Sequence, residues 1–139
     1  MLPVRLVLDT NVIVSAALKP EGLERSVFLI ATTKPARLYV TSEILSEYRT
    51  VLSRPELAIR KGLREQLLQG IQNRSQLVRP ARALRVTTDV SDNIFLECAE
   101  ASRADYLVTG NLRHFPQFWR QTKIVNSRQF IGLAVPHLL

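Results

Sequence analysis

The chain has 139 residues, one cysteine and a formal net charge of +7. That length is typical of one domain with a buried core, so we expect a single domain over 1–139. The lone cysteine and the absence of an export-signal pattern argue against a secreted, disulfide-held protein, and no apolar run is long enough for a membrane span. We therefore expect a cytoplasmic protein with no membrane partner.

The positive charge is concentrated in the middle of the chain. Between residues 54 and 85, eight Lys or Arg residues stand against two glutamates. Such an excess favours a polyanion as the partner. A solvated helical surface, or a patch that docks an acidic protein segment, would have the same composition, so charge alone leaves the partner open.

Short apolar runs alternate with helically spaced segments along the chain. Residues 4–8 are apolar and β-branched enough for a strand buried on both faces. In chain order we then predict a helix from 11 or 12, a helix over 23–32, a strand over 37–41, a helix over 42–52, one or two helices around 63–71, an extended segment over 76–80, a helix over 93–103, strands over 105–110 and 122–127, and a short final helix. This alternation indicates an α/β fold of the Rossmann-like kind, with a parallel sheet and helices on both faces.

Three polar residues, Asp9, Thr10 and Asn11, interrupt the apolar sequence directly after the first predicted strand. Residues of these types start helices, because their side-chain oxygens accept hydrogen bonds from the free amides of the first turn. Position suggests a second role, since ligands of open α/β sheets bind outside the carboxyl ends of strands. Capping and ligand binding are both open for Asp9.

Two further aspartates, Asp89 and Asp92, lie shortly before the helix predicted over 93–103. Asp92 is well placed as the N-cap of that helix, where a carboxylate also interacts favourably with the helix dipole. This ordinary capping role competes with a role at the sheet edge. Asp105 is excluded as a site residue, because it begins its strand and would lie about 15 Å from the carboxyl edge.

Glu47 lies closer to the apolar face of its predicted helix than Glu43 does. At 100° per residue, Glu47 falls about 40° outside the apolar arc. Arg49 and Arg54 lie elsewhere on the helix, which favours a partner for Glu47 from another element. An ordinary exposed glutamate is the alternative.

Asp9, Glu47 and Asp92 predict a metal site if the sheet brings them together, because their like charges would repel one another without a cation. His114, His137 and the cysteine lack the spacing of zinc ligands. Oxygen ligands suit Mg²⁺ or Mn²⁺ instead. An acidic pocket in a basic protein is the combination expected for metal-dependent cleavage of a nucleic acid.

Four stretches of the chain, taken together, are characteristic of one family. They are "LDTNVIVSA" at 8–16, "SEILSEYRTVLSRP" at 42–55, "DVSDNIFLECAEASRADYLVTGN" at 89–111 and "RHFP" at 113–116. In this order and spacing the chain resembles the PIN-domain family, and more narrowly its VapC-like group, regarded as toxins of toxin–antitoxin pairs. The resemblance implies a Rossmann-like α/β/α fold, a Mg²⁺ or Mn²⁺ site, endoribonuclease activity that leaves a 5′-phosphate, and a protein antitoxin as partner.

The resemblance also implies residue roles. Asp9 and Asp92 would hold the cation, and Glu47 would orient or deprotonate the attacking water. Supporting residues of the site would be Asn11, Asn111 and Asp89. The residues expected to contact the RNA backbone, in a way that weakens with salt, are Arg54, Arg60, Lys61 and Arg64. Leucines of the central helices are expected to form a dimer or antitoxin surface, as in relatives.

Asn111 departs from the commonest family pattern, which has a fourth acidic residue at this position. An amide oxygen can still bind a water molecule or a hydroxyl group, but it brings no charge, so affinity for a second cation should fall. We expect one firmly bound metal ion. The alternatives are a non-catalytic module that binds RNA or protein, and phosphatase-like chemistry, which would need an aspartate where the chain has Asn11.

Overall fold

A computed structural model describes residues 3–134 of the chain. The strands are β1 Arg5–Leu8, β2 Arg37–Val40, β3 Ser75–Leu77, β4 Tyr106–Val108, β5 Phe118–Trp119 and β6 Thr122–Val125. The helices are α1 Thr10–Leu18, α2 Leu23–Ala31, α3 Ser42–Leu52, α4 Lys61–Arg74, α5 Val90–Ser102 and α6 Ser127–Ala134, with short 3₁₀ turns at Pro55–Leu57 and Leu112–His114. No helix among these described residues is long and apolar enough to cross a membrane.

The six strands form one mixed sheet in the order β3-β2-β1-β4-β6-β5. Every neighbouring pair is parallel except β5 and β6, which are antiparallel. Strands β2 and β3 lie on one side of β1, and strands β4, β6 and β5 lie on the other side. The strand order therefore reverses between β1 and β4. Leu8 pairs with Val108 there, which brings the carboxyl ends of these two strands side by side. Such a switch point is where ligands bind in open α/β sheets.

The centre of the sheet is covered on both faces. Leu6, Val7 and Leu8 of β1 are all fully buried, as expected for a central strand of a parallel sheet. Helix α5 packs against β1, β2 and β4, and α6 packs against β4 and α2. The predicted α/β fold with a largely parallel sheet and flanking helices is confirmed.

Helix α5 begins three residues earlier than the sequence pattern predicts. Its N-cap is Asp89, whose side chain accepts hydrogen bonds from the amide of Ser91 at 2.9 Å and from the Ser91 hydroxyl at 2.7 Å. The predicted capping role of Asp92 is therefore wrong. Asp92 lies inside the first turn instead, with its own amide bonded to the carbonyl of Asp89. Its carboxylate is left available for another role.

Strand β5 was not predicted, because it has only two residues and no turn signal marks it. It pairs with β6 through a tight turn at Arg120 and Gln121, in which Arg120 has a φ of 54°. Gly, Asn or Asp normally supplies such a backbone conformation, so the sequence gives no warning of the hairpin. The extended segment predicted over 76–80 is shorter than expected: Ser75–Leu77 forms the edge strand β3 beside β2.

Asp89→Ala removes the side-chain cap of α5 and should lower the free energy of unfolding, because the amide of Ser91 loses its acceptor. Asp89→Asn keeps an acceptor at the same place and should lose less than half as much. Urea unfolding followed by circular dichroism measures both variants. Equal losses would show that the charge of Asp89, rather than its cap, stabilises the helix.

Candidate active site at the carboxyl edge of the sheet

Asp9 lies where the ends of β1 and β4 meet. Its side chain caps α1, with Oδ1 accepting a hydrogen bond from the Thr10 amide at 2.7 Å. Its second oxygen, Oδ2, accepts hydrogen bonds from the Thr109 hydroxyl at 2.7 Å and from Asn11 Nδ2 at 3.1 Å. The Asp9 side chain thus caps α1 and also lies at the carboxyl edge of the sheet.

The Asp9 carboxyl is buried, with 5% of the residue exposed. Burial raises its pKa from 3.8 to about 6, and the nearby negative charges of Asp92 and Glu47 also act to raise this pKa. Hydrogen bonds from Thr109 and Thr10 act in the opposite direction. The charges of Asp92 and Glu47 thus act on the pKa of Asp9, although less than burial does.

Helix α3 presents Glu47 to this edge. The hydroxyl of the buried Tyr48 donates a hydrogen bond to the carbonyl of Leu8, which ties α3 to the end of β1. The carboxylate of Glu47 accepts a hydrogen bond from the Thr10 hydroxyl. The sequence predicts a partner for Glu47 from another element, and the hydroxyl group of Thr10 in α1 is that partner. The ion pairs formed within residues 3–134 include neither Glu47 nor Asp9.

Asp92, in the first turn of α5, has an unsatisfied oxygen. Its Oδ2 atom is buried and makes no hydrogen bond among the described residues, although His114 Nδ1 lies 3.3 Å away without hydrogen-bond geometry. Burial raises the pKa of Asp92, the charge of Asp89 raises it further, and His114 acts to lower it. A buried carboxylate oxygen without a hydrogen bond is unusual. Within residues 3–134 its ion-pair partner is His114, when that imidazole is protonated.

The two asparagines of the site have different positions. Asn11 Oδ1 accepts a hydrogen bond from the Gly110 amide at 2.8 Å, so Asn11 links Asp9 to the loop after β4. A Cβ atom on Gly110 would lie only 3.3 Å from Asn11 Oδ1, which explains the glycine there. The amide of Asn111 donates to Thr109 Oγ1 at 3.0 Å, and its side chain is exposed.

Asp89 lies on the exposed side of the site. Its hydrogen bonds from the hydroxyl and amide of Ser91 lower its pKa. It shares a groove of about 510 Å³ with Asp92, Arg113 and His114. Asp89 therefore borders the acidic cluster and caps α5 at the same time.

The predicted RNA-binding residues lie around the start of α4. Arg54, Arg60 and Lys61 are exposed, whereas Arg64 is half-buried and lies 4.0 Å from Glu65. Within residues 3–134, no hydrogen bond or ion pair joins these four side chains to the three acidic residues. Arg60, Lys61 and Arg64 lie at the start of α4 and Arg54 lies just before the preceding 3₁₀ turn, and we call these four residues the basic surface.

Sequence reasoning gave no role in the site to Thr109 or Tyr48, considered His114 only as a zinc ligand, and left Thr10 open between helix capping and a supporting role. Thr109 follows β4 just as Asp9 follows β1, so its position after a predicted strand was a usable signal. Tyr48 and His114 lie in the stretches at 42–55 and 113–116 that resemble the family, but their roles depend on contacts with residues distant in sequence.

The donors available for a metal ion are carboxylate oxygens. No group of three or more His, Cys, Asp or Glu side chains converges on a metal position within the described part of the chain, and His137 lies outside that part. Proteins usually hold Mg²⁺ through one or two carboxylates, with water and substrate phosphate completing the shell. Asp9 and Asp92 supply the oxygen donors that such an ion prefers, although both oxygens of Asp9 already accept hydrogen bonds and the described residues form no three-residue cage.

Comparison with known proteins decides the family. The sequence matches the family model described as "PIN domain" over residues 5–113. The chain belongs to the PIN-domain family. PIN domains are generally nucleases, so the family supports a hydrolase that acts on nucleic acids. No match was found among curated proteins.

Two solved structures of PIN-domain complexes share the fold. VapBC2 from Rickettsia felis, bound to a DNA fragment from its promoter, has a TM-score of 0.60 and 18% identity, over 88% of this chain and 98% of that one. FitAB bound to an IR36 DNA fragment has a TM-score of 0.55 and 16% identity, over 88% and 94% of the two chains. At these identities the likeness is one of fold.

The buried Asp9 makes stability depend on pH in a definite direction. Because its pKa is about 6 in the folded protein and 3.8 ordinarily, the folded state binds more protons between these pH values. Without metal, the free energy of unfolding should fall as pH rises from about 4 to 6, by about 3 kcal/mol from this residue.

Asp9→Asn should remove that contribution. Urea unfolding in EDTA, from pH 4 to pH 7.5, compares the two proteins. Parallel stability curves for the original chain and Asp9→Asn would contradict the raised pKa.

Proposed function

We propose that this PIN-domain protein is a Mg²⁺- or Mn²⁺-dependent endoribonuclease and the toxin of a toxin–antitoxin pair. The observation that carries the proposal is the buried Asp9, whose pKa is raised by burial and by two further carboxylates. Within residues 3–134, no Lys or Arg neutralises Asp9 or Glu47 by an ion pair. A divalent cation would relieve this repulsion and make the acidic edge useful for phosphodiester chemistry.

Asp9 and Asp92 would hold the cation, which when bound supplies Lewis-acid stabilisation of the phosphate charge and lowers the pKa of water. The hydrogen bonds from Thr109 and Asn11 fix the orientation of the Asp9 carboxylate. Both oxygens of Asp9 therefore have defined directions before substrate binds.

Glu47 would orient the attacking water and accept its proton. The Thr10 hydroxyl holds the Glu47 carboxylate at the edge of the sheet, and the bond from Tyr48 to Leu8 holds the helix that carries it. Thr10 and Tyr48 are positioning residues in this scheme. Attack with loss of the 3′ oxygen would leave a 5′-phosphate on the product.

The basic surface at the start of α4 would contact the RNA backbone. Arg54, Arg60 and Lys61 are exposed, and Arg64 lies beside them. Contacts of this kind release counterions, so binding should weaken as salt rises.

We also propose that the chain binds a protein antitoxin and forms a homodimer. We further propose that it is a cytoplasmic protein with a single domain over 1–139. The two solved relatives are the VapBC2 and FitAB complexes, each bound to a DNA fragment, and the shared fold supports a protein partner for this chain. Helices α2 and α4 enclose a groove of about 440 Å³ whose apolar lining includes Phe28, Leu29, Leu63 and Leu67. Leu29 is well exposed there, which supports an apolar partner surface.

Glu47→Gln, Asp9→Asn and Asp92→Asn should each lower the rate of RNA cleavage about 100-fold or more, because each removes a group that acts on the cation or the water. Glu43→Gln is the matched control, since Glu43 is exposed one turn earlier on α3 and should keep full activity. Cleavage of a labelled single-stranded RNA, with Mg²⁺, Mn²⁺ or EDTA, measures the effect. Matched DNA should be cut poorly.

Cleavage that persists in EDTA or in Asp92→Asn would contradict the metal-dependent mechanism. RNA binding without cleavage would favour the alternative of a non-catalytic RNA-binding module, to which the uncharged Asn111 gives some support.

Asn111→Asp should add affinity for a second metal ion, because it supplies the carboxylate that the chain lacks at this position. Calorimetric titration with Mn²⁺ should show one firmly bound ion in the original chain. Two tight ions in the original chain would refute the one-metal expectation.

A further inference from the structure

A second groove, of about 440 Å³, opens beside the active site on the side of Asn11. We call it the amide groove. Its lining includes Asn11, Asn111, Asn126, Glu24 and Arg128. Its volume lies within the range of ligand pockets, about 300–1,000 Å³. Because Asn11 also donates to Asp9, a ligand in this groove would lie next to the cleavage site.

The amide groove contains two opposite charges that do not neutralise each other. Glu24 comes from the first turn of α2, and Arg128 from the first turn of α6. The ion pairs of the described residues do not include one between them. One wall can therefore accept hydrogen bonds through a carboxylate while another donates through a guanidinium.

The asparagines that line the groove are polar, and hydrogen bonds hold some of them in place. Asn126 and Gln129 exchange two hydrogen bonds, of 2.8 and 2.9 Å, which hold the start of α6. Asn11 is held by Gly110 and Asp9. The Asn111 side chain is exposed and makes no hydrogen bond within residues 3–134, so it is free to contact a ligand.

We propose that the amide groove binds a guanine base next to the scissile phosphate, which makes Glu24 and Arg128 specificity-determining residues. This inference rests on the proposed ribonuclease function. Among the four RNA bases, guanine presents two adjacent donors, N1–H and N2–H₂, together with two acceptors, O6 and N7. Glu24 matches the donors, and Arg128 matches the acceptors in the manner usual for guanine recognition.

Single-stranded RNA suits this arrangement. Proteins that read RNA sequence do so mainly on unpaired bases, whose Watson–Crick and Hoogsteen edges can both be reached. Adenine in the same orientation presents the N1 acceptor to Glu24 and only N7 as an acceptor to Arg128, so Glu24 would be left without a donor. An unpaired charged group is costly, and discrimination against adenine follows from it.

The test measures RNA binding without cleavage. Fluorescence anisotropy is measured with the Glu47→Gln variant in the presence of Mg²⁺. The ligands are labelled uridine hexamers that carry one central guanosine, inosine or adenosine. Guanosine should bind about 10-fold more tightly than adenosine. Inosine, which lacks the N2 amino group, should lie between them.

Glu24→Ala and Arg128→Ala, each added to Glu47→Gln, should remove the preference for guanosine, and Glu24→Gln should reduce it. The matched controls are Glu21→Ala and Arg37→Ala, because both residues are exposed and neither lines the amide groove. These controls should keep the preference.

Equal affinity for all hexamers, a preference for adenosine, or a guanosine preference that survives both alanine variants would overturn the proposal. Absence of any RNA binding would overturn it as well. The ribonuclease proposal fails separately, if the unmodified chain does not cleave RNA with Mg²⁺ or Mn²⁺.

Discussion

The structure depends on the burial of one carboxylate, Asp9, at the point where β1 and β4 end side by side. The paired register of Leu8 with Val108 fixes this position, because it carries Asp9 and Thr109 to the same place. Burial of a charge is costly, and two more carboxylates increase the cost by repulsion. Three hydrogen bonds offset part of it, and we infer that a divalent cation offsets the rest.

The same constraint explains how distant elements are arranged around the edge. Tyr48 donates to the carbonyl of Leu8 from the middle of α3, which places Glu47 next to Thr10. Asp89 caps α5, so the carboxylate of Asp92 is not used as the cap and keeps a buried oxygen without a hydrogen bond. Glu47 is thus held by the Thr10 hydroxyl and Asp9 by three hydrogen bonds, and neither carboxylate is paired with a lysine or arginine within residues 3–134.

Much of this could be predicted from the sequence. Asp9 was singled out by its position after a buried apolar strand. The helical period left Glu47 open to being an ordinary exposed glutamate, and the family resemblance supplied its proposed role. The N-cap of α5 was misplaced because Asp89 and Asp92 are both good capping residues, and only backbone geometry chooses between them. Strand β5, the role of Tyr48 and the contact of His114 with Asp92 depend on pairings between distant or very short segments, which local patterns do not encode.

We infer that Asp9 and Asp92 share one cation, and anomalous diffraction from crystals soaked in Mn²⁺ can locate it. We expect a single strong peak within bonding distance, about 2.0–2.3 Å, of an oxygen of Asp9 and of Oδ2 of Asp92. A crystal with no peak at this edge, or with manganese held by other residues and Asp9 still buried without it, would show that the two aspartates do not share an ion.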